Sequence, residues 1–383
     1  MKKNGENKRV RYNYRTQFVG DPIQFKEKVL SKTVIPRQVE VQPGGSTSGN
    51  LCWLPCPYCY GISAKDSGER LSRERYIEIL RQIAEGGVDK IAFAGYATDP
   101  LNCEHIEDLF QVVLDYKQIS GFHTKALKVS ERFISQLTGK SITPKSFFNV
   151  SVDAGNNETY NSVHGIPKSK AKLYDKVLDN LYKISSARKI SGAPLDISVT
   201  YLINNINNST DEILKAISDL RNVGADMIRF TFPQVPRGYS MGEKDQNIPK
   251  REEVLNFMNR LQPVLEEENS DDCEVLIMDL DADYEIESAR TLPCFARFIY
   301  PTIGFDGWLY HCSESAAPQF QEMALGNLAE KDFWDLYYSY DTEHFQQFLQ
   351  NNSDKMNKLA CKCDRKEHAV NNFIKESEVF GSF

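Results

Sequence analysis

Residues 37–62 read RQVEVQPGGSTSGNLCWLPCPYCYGI. Val39 and Val41 alternate with polar neighbours, which predicts a first strand. The loop behind that strand carries Cys52, Cys56 and Cys59 at the spacing CxxxCxxC. A structural zinc ion or a complete iron–sulfur cluster takes four protein ligands, and this loop offers three. A zinc reading needs a fourth ligand supplied by the fold, since the nearest histidine in sequence is His105. A four-cysteine cluster would borrow Cys103. The third reading is a [4Fe–4S] cluster with one iron left open to a chelating cofactor.

Working outward from the loop, helical and strand patterns alternate. LSRERYIEILRQIAEGG has Ser72 as N-cap, Tyr76, Ile77, Leu80, Ile83 and Ala84 on one face, and Gly86 as its stop. KIAFAG predicts a short buried strand, followed by a helix over 104–116. KALKVS, SFFNVSVD, LDISVTYLI and DMIRFTF predict four more strands. KLYDKVLDNLYKI and STDEILKAISDLRN are helices between them, the latter with a capping box of Ser209 and Glu212. About six βα units fill 37–238, with near-continuously apolar strands, as in a parallel sheet covered by helices. That predicts an α/β fold, a partial (β/α)6 TIM-like barrel, whose sites collect at the C-terminal ends of the strands. GYSMGEKDQN reads as a polar linker, Pro249 opens another helix, and EVLIMDL offers a further strand.

Composition bounds the function. The chain of 383 residues is 41% hydrophobic and 26% charged, as a globular protein is. No apolar run reaches the length of about 18 residues that a membrane span needs, and the start lacks a secretory signal. The expected location is therefore the cytoplasm, with no membrane partner. A net charge of −7 argues against nucleic acid. The opening MKKNGENKRVRYNYR, with six basic residues against one acidic, reads as a solvated terminus, or as a grip for an acidic peptide or phosphate. Nine cysteines without a secretory signal read as metal ligands rather than disulfides.

With these residues in view, the chain resembles the radical S-adenosylmethionine (radical SAM) superfamily from about residue 37 to its end. The resemblance implies that Cys52, Cys56 and Cys59 hold a [4Fe–4S] cluster whose open iron takes the amine and carboxylate of SAM. It implies reductive cleavage of SAM to a 5′-deoxyadenosyl radical, with a flavodoxin- or ferredoxin-like electron donor. Tyr58, before the third cysteine, would touch the adenine. AGYATDP stands where the family has a glycine-rich turn, which carries SAM contacts to Ala97, Thr98 and Asp99, although the usual glycine pair is missing. SVDAGNNETYNSVHG resembles the family's S-x-D-A segment and places Ser151 and Asp153 at the SAM ribose or the substrate. Asn204 and Arg229 are further candidates for the ribose and the carboxylate.

The last quarter contains CFARFIYPTIGFDGWLYHC, a C-x12-G-x4-C pattern from Cys294 through Gly307 to Cys312. It resembles the opening of the SPASM and twitch domains, which bind auxiliary [4Fe–4S] clusters. Cys361 and Cys363 in LACKCDR would complete the ligand set, with CxC where CxxC is commoner. The implied division is an extension over 1–36, a barrel over 37–285, and a small α+β twitch-type domain over 286–383. Cys103 and Cys273 read as buried hydrophobes or, as in radical epimerases, as hydrogen-atom donors in catalysis. The expected substrate is small and polar, a sugar, aminocyclitol or nucleoside, undergoing oxidation or epimerisation. A ribosomal peptide is the alternative substrate, and a non-catalytic metal-binding scaffold is the other class.

Overall fold

A computed structural model describes residues 19–44, 52, 54–59, 67–95, 98–233, 249–278, 293–361, 363 and 365–381. Seven parallel strands form its centre. They are β1 (Val39–Val41), β2 (Lys90–Phe93), β3 (Ile119–Thr124), β4 (Ser146–Ser151), β5 (Leu195–Leu202), β6 (Met227–Thr231) and β7 (Glu274–Ile277). Each of β1 to β6 lies beside its successor in sequence, and all pair in parallel. The order continues beyond β1 through β8 (Thr302–Ile303), β9 (Trp308–Tyr310) and β10 (Gly326–Asn327). Among the described residues the end strands do not pair, so the sheet is an open, partial barrel of six βα units closed off by β7.

Helices cover its outer face. A first helix, α1 (Pro22–Leu30), precedes the barrel. The covering helices are α2 (Arg73–Glu85), α3 (Ile106–Asp115), α4 (Glu131–Leu137), α5 (Asn157–Val163), α6 (Leu173–Ser191), α7 (Thr210–Asn222) and α8 (Arg251–Glu267). The expected cap of α2 forms, since Ser72 accepts from the Arg75 amide. Apolar strand residues meet these helices in a dry layer. Phe122 stacks on Phe93 with ring centroids 4.9 Å apart and meets the edge of Phe110 at 4.9 Å and of Phe133 at 5.0 Å. Each such ring contributes about 1.5–3 kcal/mol by leaving water.

Because side chains alternate across a strand, the neighbours of those rings face the concave side. His123, Asn149, Ser151, Ser198, Thr200 and Arg229 line it, and their register is direct. His123 pairs with Asn149, Asn149 with Ser198, Ser151 with Thr200, and Thr200 with Arg229. The inner wall is therefore polar while the outer one is aromatic.

Two local expectations are corrected. The third strand is ISGFHT rather than KALKVS. Its Gly121 is small for a reason: a β-carbon there would stand 2.2 Å from the Phe147 ring on β4. KALKVS instead turns away, with Ala126 at φ +53 and its amide donating to Thr124 Oγ1. The capping box of α7 forms by half. Ser209 Oγ accepts from the Glu212 amide, but the Glu212 carboxylate accepts from Gly155 N at 2.6 Å and Asn156 Nδ2 at 2.7 Å.

The C-terminal segment joins the barrel through main-chain pairing. β8 runs parallel to β1, with Glu40 opposite Thr302, and turns antiparallel into β9 through Gly307 at φ +80. Helices α9 (Phe333–Tyr337), α10 (Phe345–Lys358) and α11 (Arg365–Glu376) complete the chain. Arg297 is buried among their rings, its guanidinium 5.1 Å from the Tyr340 centroid and donating to the Tyr337 carbonyl. Among the described residues no helix is long and apolar enough to cross a membrane.

Candidate active site

The loop with Cys52, Cys56 and Cys59 leaves the C-terminal end of β1, so the three thiols stand over the barrel mouth. Cys56 is buried and Cys52 and Cys59 are half-buried, and the Cys59 amide donates to the Cys56 carbonyl in a tight turn. The segment after α5 packs against this loop. Gly165 adopts φ +80, and a β-carbon there would lie 2.2 Å from the Pro55 carbonyl oxygen.

Behind the loop lies a compact set of buried and half-buried polar groups. Tyr58 donates its hydroxyl to Asp153 Oδ2 at 2.8 Å. Lys125 Nζ donates to Asp153 Oδ2 at 2.7 Å and to the Tyr58 oxygen at 2.9 Å, and meets His164 Nε2 at 2.8 Å. His164 Nδ1 is 2.7 Å from the Tyr160 carbonyl, which can only accept. That bond fixes the proton on Nδ1 and leaves Nε2 to accept from Lys125. The other carboxylate oxygen, Asp153 Oδ1, accepts from the Leu202 amide at 2.7 Å.

Charges here are set by one another. Burial works against the Asp153 carboxylate, but Lys125 and His164 outweigh it and hold the carboxyl well below its usual range. Burial likewise opposes the Lys125 ammonium, and Asp153 and Cys56 overcome it, so the lysine stays charged. Burial and the Lys125 charge lower the His164 imidazole, which is neutral. Burial pushes the Cys56 thiol up to about 12, with Lys125 pulling in the opposite direction. A thiol so placed loses its proton only when a strong cation, such as a cluster iron, takes the proton's place on sulfur.

The sequence candidates are distributed as follows. Asp99 is half-buried beyond β2 and accepts from Thr124 Oγ1, Lys125 N and Leu101 N, the last at 3.0 Å. Thr98 Oγ1 is buried and has no hydrogen-bond partner among the described residues, a vacancy in bonding that suits a polar ligand. Ala97 lies outside the described residues. The turn is tight enough to need Gly95, where a β-carbon would stand 1.8 Å from the Thr98 carbonyl oxygen. Ser151 is half-buried at the end of β4, level with Thr200. Asp153 is fully enclosed at φ +60 and its carboxylate is occupied by protein groups, not turned to the lumen. Asn204 is buried past β5, its side chain accepting from Ile206 N and its own amide donating to Asn207. Arg229 donates to Thr200 Oγ1 at 2.9 Å. Cys103 is buried just beyond Asp99, near the mouth, whereas Cys273 is buried at the N-terminal start of β7, the opposite end of the strands.

Lys125, His164 and Asn207 escaped the sequence reading. Asn207 Nδ2 holds the Asp153 and Leu202 carbonyls, each at 2.8 Å. Only the cluster of asparagines in INNINNST hinted at such a turn.

Inside the barrel a hydrogen-bonded chain crosses four strands. His123 Nδ1 meets Asn149 Nδ2 at 3.3 Å, Asn149 Oδ1 accepts from Ser198 at 3.0 Å and from Thr200 at 3.2 Å, and Arg229 closes on Thr200. His123 is solvent-exposed yet surrounded by protein mass, as a residue lining an internal space is. That enclosure, with the cations Arg229, Lys366 and Lys90, pulls its imidazole down to about 3.

The other four cysteines gather in the C-terminal segment. Cys294, Cys312 and Cys361 are buried and interact electrostatically, and Tyr300 feels Cys294, Cys312 and Cys363 together. Asn371 bridges two arms of the group, donating to Cys363 Sγ at 3.6 Å and accepting from Phe295 N, next to Cys294. Among the described residues no three Cys, His, Asp or Glu side chains converge tightly enough for one metal ion. A single zinc demands bonds of about 2.3 Å to each thiolate, whereas a cluster several ångströms across is held by thiols further apart.

A sequence model of the radical SAM superfamily matches residues 46–220, from the cysteine loop into α7. Residues 46–220 are therefore similar to the radical SAM superfamily. Likeness to that superfamily implies SAM and the [4Fe–4S] cluster that binds it. The sporulation killing factor maturation protein SkfB of Bacillus subtilis is 22% identical over 289 residues, 75% of this chain and 62% of SkfB. This chain therefore spans less than two thirds of that relative. Among solved structures, Streptococcus suis SuiB bound to its precursor peptide SuiA has a TM-score of 0.59 at 16% identity, covering 84% of this chain and 70% of SuiB. The anSMEcpe enzyme with bound AdoMet has a TM-score of 0.55 at 16% identity, covering 90% and 92%. These likenesses concern the fold.

Proposed function

We propose that this radical SAM enzyme abstracts a hydrogen atom from a peptide substrate lodged in the barrel lumen, at a site whose cluster is held by Cys52, Cys56 and Cys59. The observation that carries the reading is the position of this loop, at the C-terminal end of β1 and above the polar wall from His123 to Arg229. When bound, the cluster and SAM supply the electron and the 5′-deoxyadenosyl radical, an electron donor of flavodoxin or ferredoxin type feeding the cluster. The chain supplies placement. Tyr58, pinned by Asp153 and Lys125, would meet the adenine, Thr98 would offer its unpaired hydroxyl to SAM, and Asn204 and Arg229 would serve its ribose and carboxylate. Cys294, Cys312, Cys361 and Cys363 hold the auxiliary cluster in a C-terminal unit over about 286–383, after a barrel over 37–285. A cluster so placed suits oxidation, since it accepts the second electron.

A peptide is favoured over the small metabolite because SkfB is named for maturation of a killing factor and SuiB is solved with a precursor peptide. The small polar substrate keeps one support of its own, the hydroxyl- and amide-rich wall of Asn149, Ser198 and Thr200. The test is anaerobic turnover of reconstituted enzyme with SAM and reductant, offered precursor peptides in one arm and aminocyclitols and nucleosides in the other. A peptide mass change with 5′-deoxyadenosine formed above the substrate-free rate supports the reading. Stimulation and conversion of a metabolite alone overturns it.

A further inference from the structure

We propose that His123 holds a carbonyl oxygen of the substrate in the barrel lumen, through an N–H that a one-way hydrogen-bond relay from Arg229 keeps in place. The inference rests on the reading of a peptide lodged in that lumen and names the grip such a peptide meets there. Neighbouring strands supply the relay, with His123 on β3, Asn149 on β4, Ser198 and Thr200 on β5, and Arg229 on β6. Its direction is set at the far end. An arginine only donates, and Arg229 donates to Thr200 Oγ1 at 2.9 Å. The Thr200 hydroxyl passes its own hydrogen to Asn149 Oδ1 at 3.2 Å, and Ser198 donates to the same oxygen at 3.0 Å. With its carbonyl end taken twice, Asn149 turns its amide nitrogen to His123 Nδ1 at 3.3 Å. Asn149, Ser198 and Thr200 are all buried, which keeps water from replacing these partners.

An amide nitrogen donates, so Nδ1 accepts. The neutral ring then carries its one proton on Nε2. Burial, with the charges of Arg229, Lys366 and Lys90, keeps the ring from taking a second proton. Among the described residues no hydrogen bond takes up Nε2. The ring is exposed on the concave face and stands edge-on to Phe147, with centroids 5.1 Å apart. His123 therefore offers the lumen a donor that does not turn into an acceptor or a base. A peptide carbonyl, which only accepts, completes the relay. An ammonium group, which only donates, finds no partner in it. Asn149 and Thr200 are positioning residues, since they act through the His123 ring.

The experiment is nitrogen magnetic resonance on the reconstituted full chain with isotope-labelled histidines and oxidised clusters. The His123 signals are assigned by their loss in His123→Gln. In the wild type Nδ1 should be unprotonated and Nε2 protonated. Asn149→Asp replaces the amide with a carboxylate, which only accepts, and should move a proton onto Nδ1. A protonated Nδ1 in the wild type, or an unprotonated one in Asn149→Asp, overturns the inference. Two probes in excess then read the preference for an acceptor, N-acetylglycine N′-methylamide and methylammonium chloride. The amide should shift the Nε2 signal and methylammonium should leave it in place. No response to the amide, or a response to methylammonium alone, overturns the inference. Neither arm needs turnover, so failure of every precursor peptide to react removes the peptide reading alone. With a peptide that does react, His123→Phe should raise its KM about fivefold, as loss of one neutral hydrogen bond does. His123→Gln, which keeps an N–H donor, should stay near the wild type. An unchanged KM in His123→Phe counts against the grip.

Discussion

At Gly165 the backbone turns through φ +80 against the Pro55 carbonyl, where a β-carbon would come to 2.2 Å. Gly165→Ala should therefore cost about 1–3 kcal/mol in strain and close approach. The expected readout is a lower urea midpoint at unchanged slope, with iron lost from the cysteine loop, and an unchanged midpoint would contradict the contact. His164 gives the pH behaviour of the same region. Its imidazole ionises near pH 6.5 in an unfolded chain, and burial and Lys125 lower that value in the fold. The unfolded state then takes up a proton that the native state refuses. The stability contributed is complete above about pH 6.5 and is lost as pH falls toward the lowered folded value. Between about pH 7 and pH 5.5 the iron-free wild type should lose more stability than His164→Gln. Parallel losses would show that His164 titrates normally. Neither residue was legible from the sequence, because their partners lie far along the chain: Lys125 is 39 residues from His164, and Pro55 meets Gly165 only in the fold.

Elements were legible wherever the signal was local. Ser72 caps α2 and Ser209 caps α7 as their spacing implies, because a cap joins residues three apart. The β3 strand was missed because its fitness depends on a neighbour: Gly121 weakens the strand pattern yet leaves the space that Phe147 fills. Reading KALKVS as strand also hid Lys125, which belongs to the loop. Glu212 shows the same competition at a helix start. Its carboxylate leaves its own cap to hold Gly155 N and Asn156, fixing the turn that follows Asp153. The turn is the more valuable use. Glu212→Ala should cost on the order of 2–3 kcal/mol, since it strips charge-assisted bonds from a partly buried amide. Ser209→Ala, which removes an ordinary cap, should cost about 1 kcal/mol. Denaturant titration of both variants decides, and a larger loss in Ser209→Ala would contradict this division of labour.

Across the whole molecule, one sheet connects the cysteine loop to the C-terminal cysteines, because β8 pairs with β1 on the edge opposite β2. The sequence indicated the βα array and both cysteine groups, since parallel strands and ligand spacings leave local patterns. It carried no sign that the C-terminal hairpin extends the barrel sheet, which depends on pairing residues some 262 positions apart, Glu40 with Thr302. The two groups nevertheless draw on different loops, so each should load independently. The most direct test of the account is anaerobic reconstitution followed by 5′-deoxyadenosine and iron assays on the wild type, Cys56→Ala and the Cys294→Ala/Cys312→Ala double variant. The wild type should hold about eight irons from two clusters and cleave SAM. Cys56→Ala should keep about four irons and form no 5′-deoxyadenosine, while the double variant keeps about four and still cleaves SAM. Near-normal 5′-deoxyadenosine from Cys56→Ala would contradict the account.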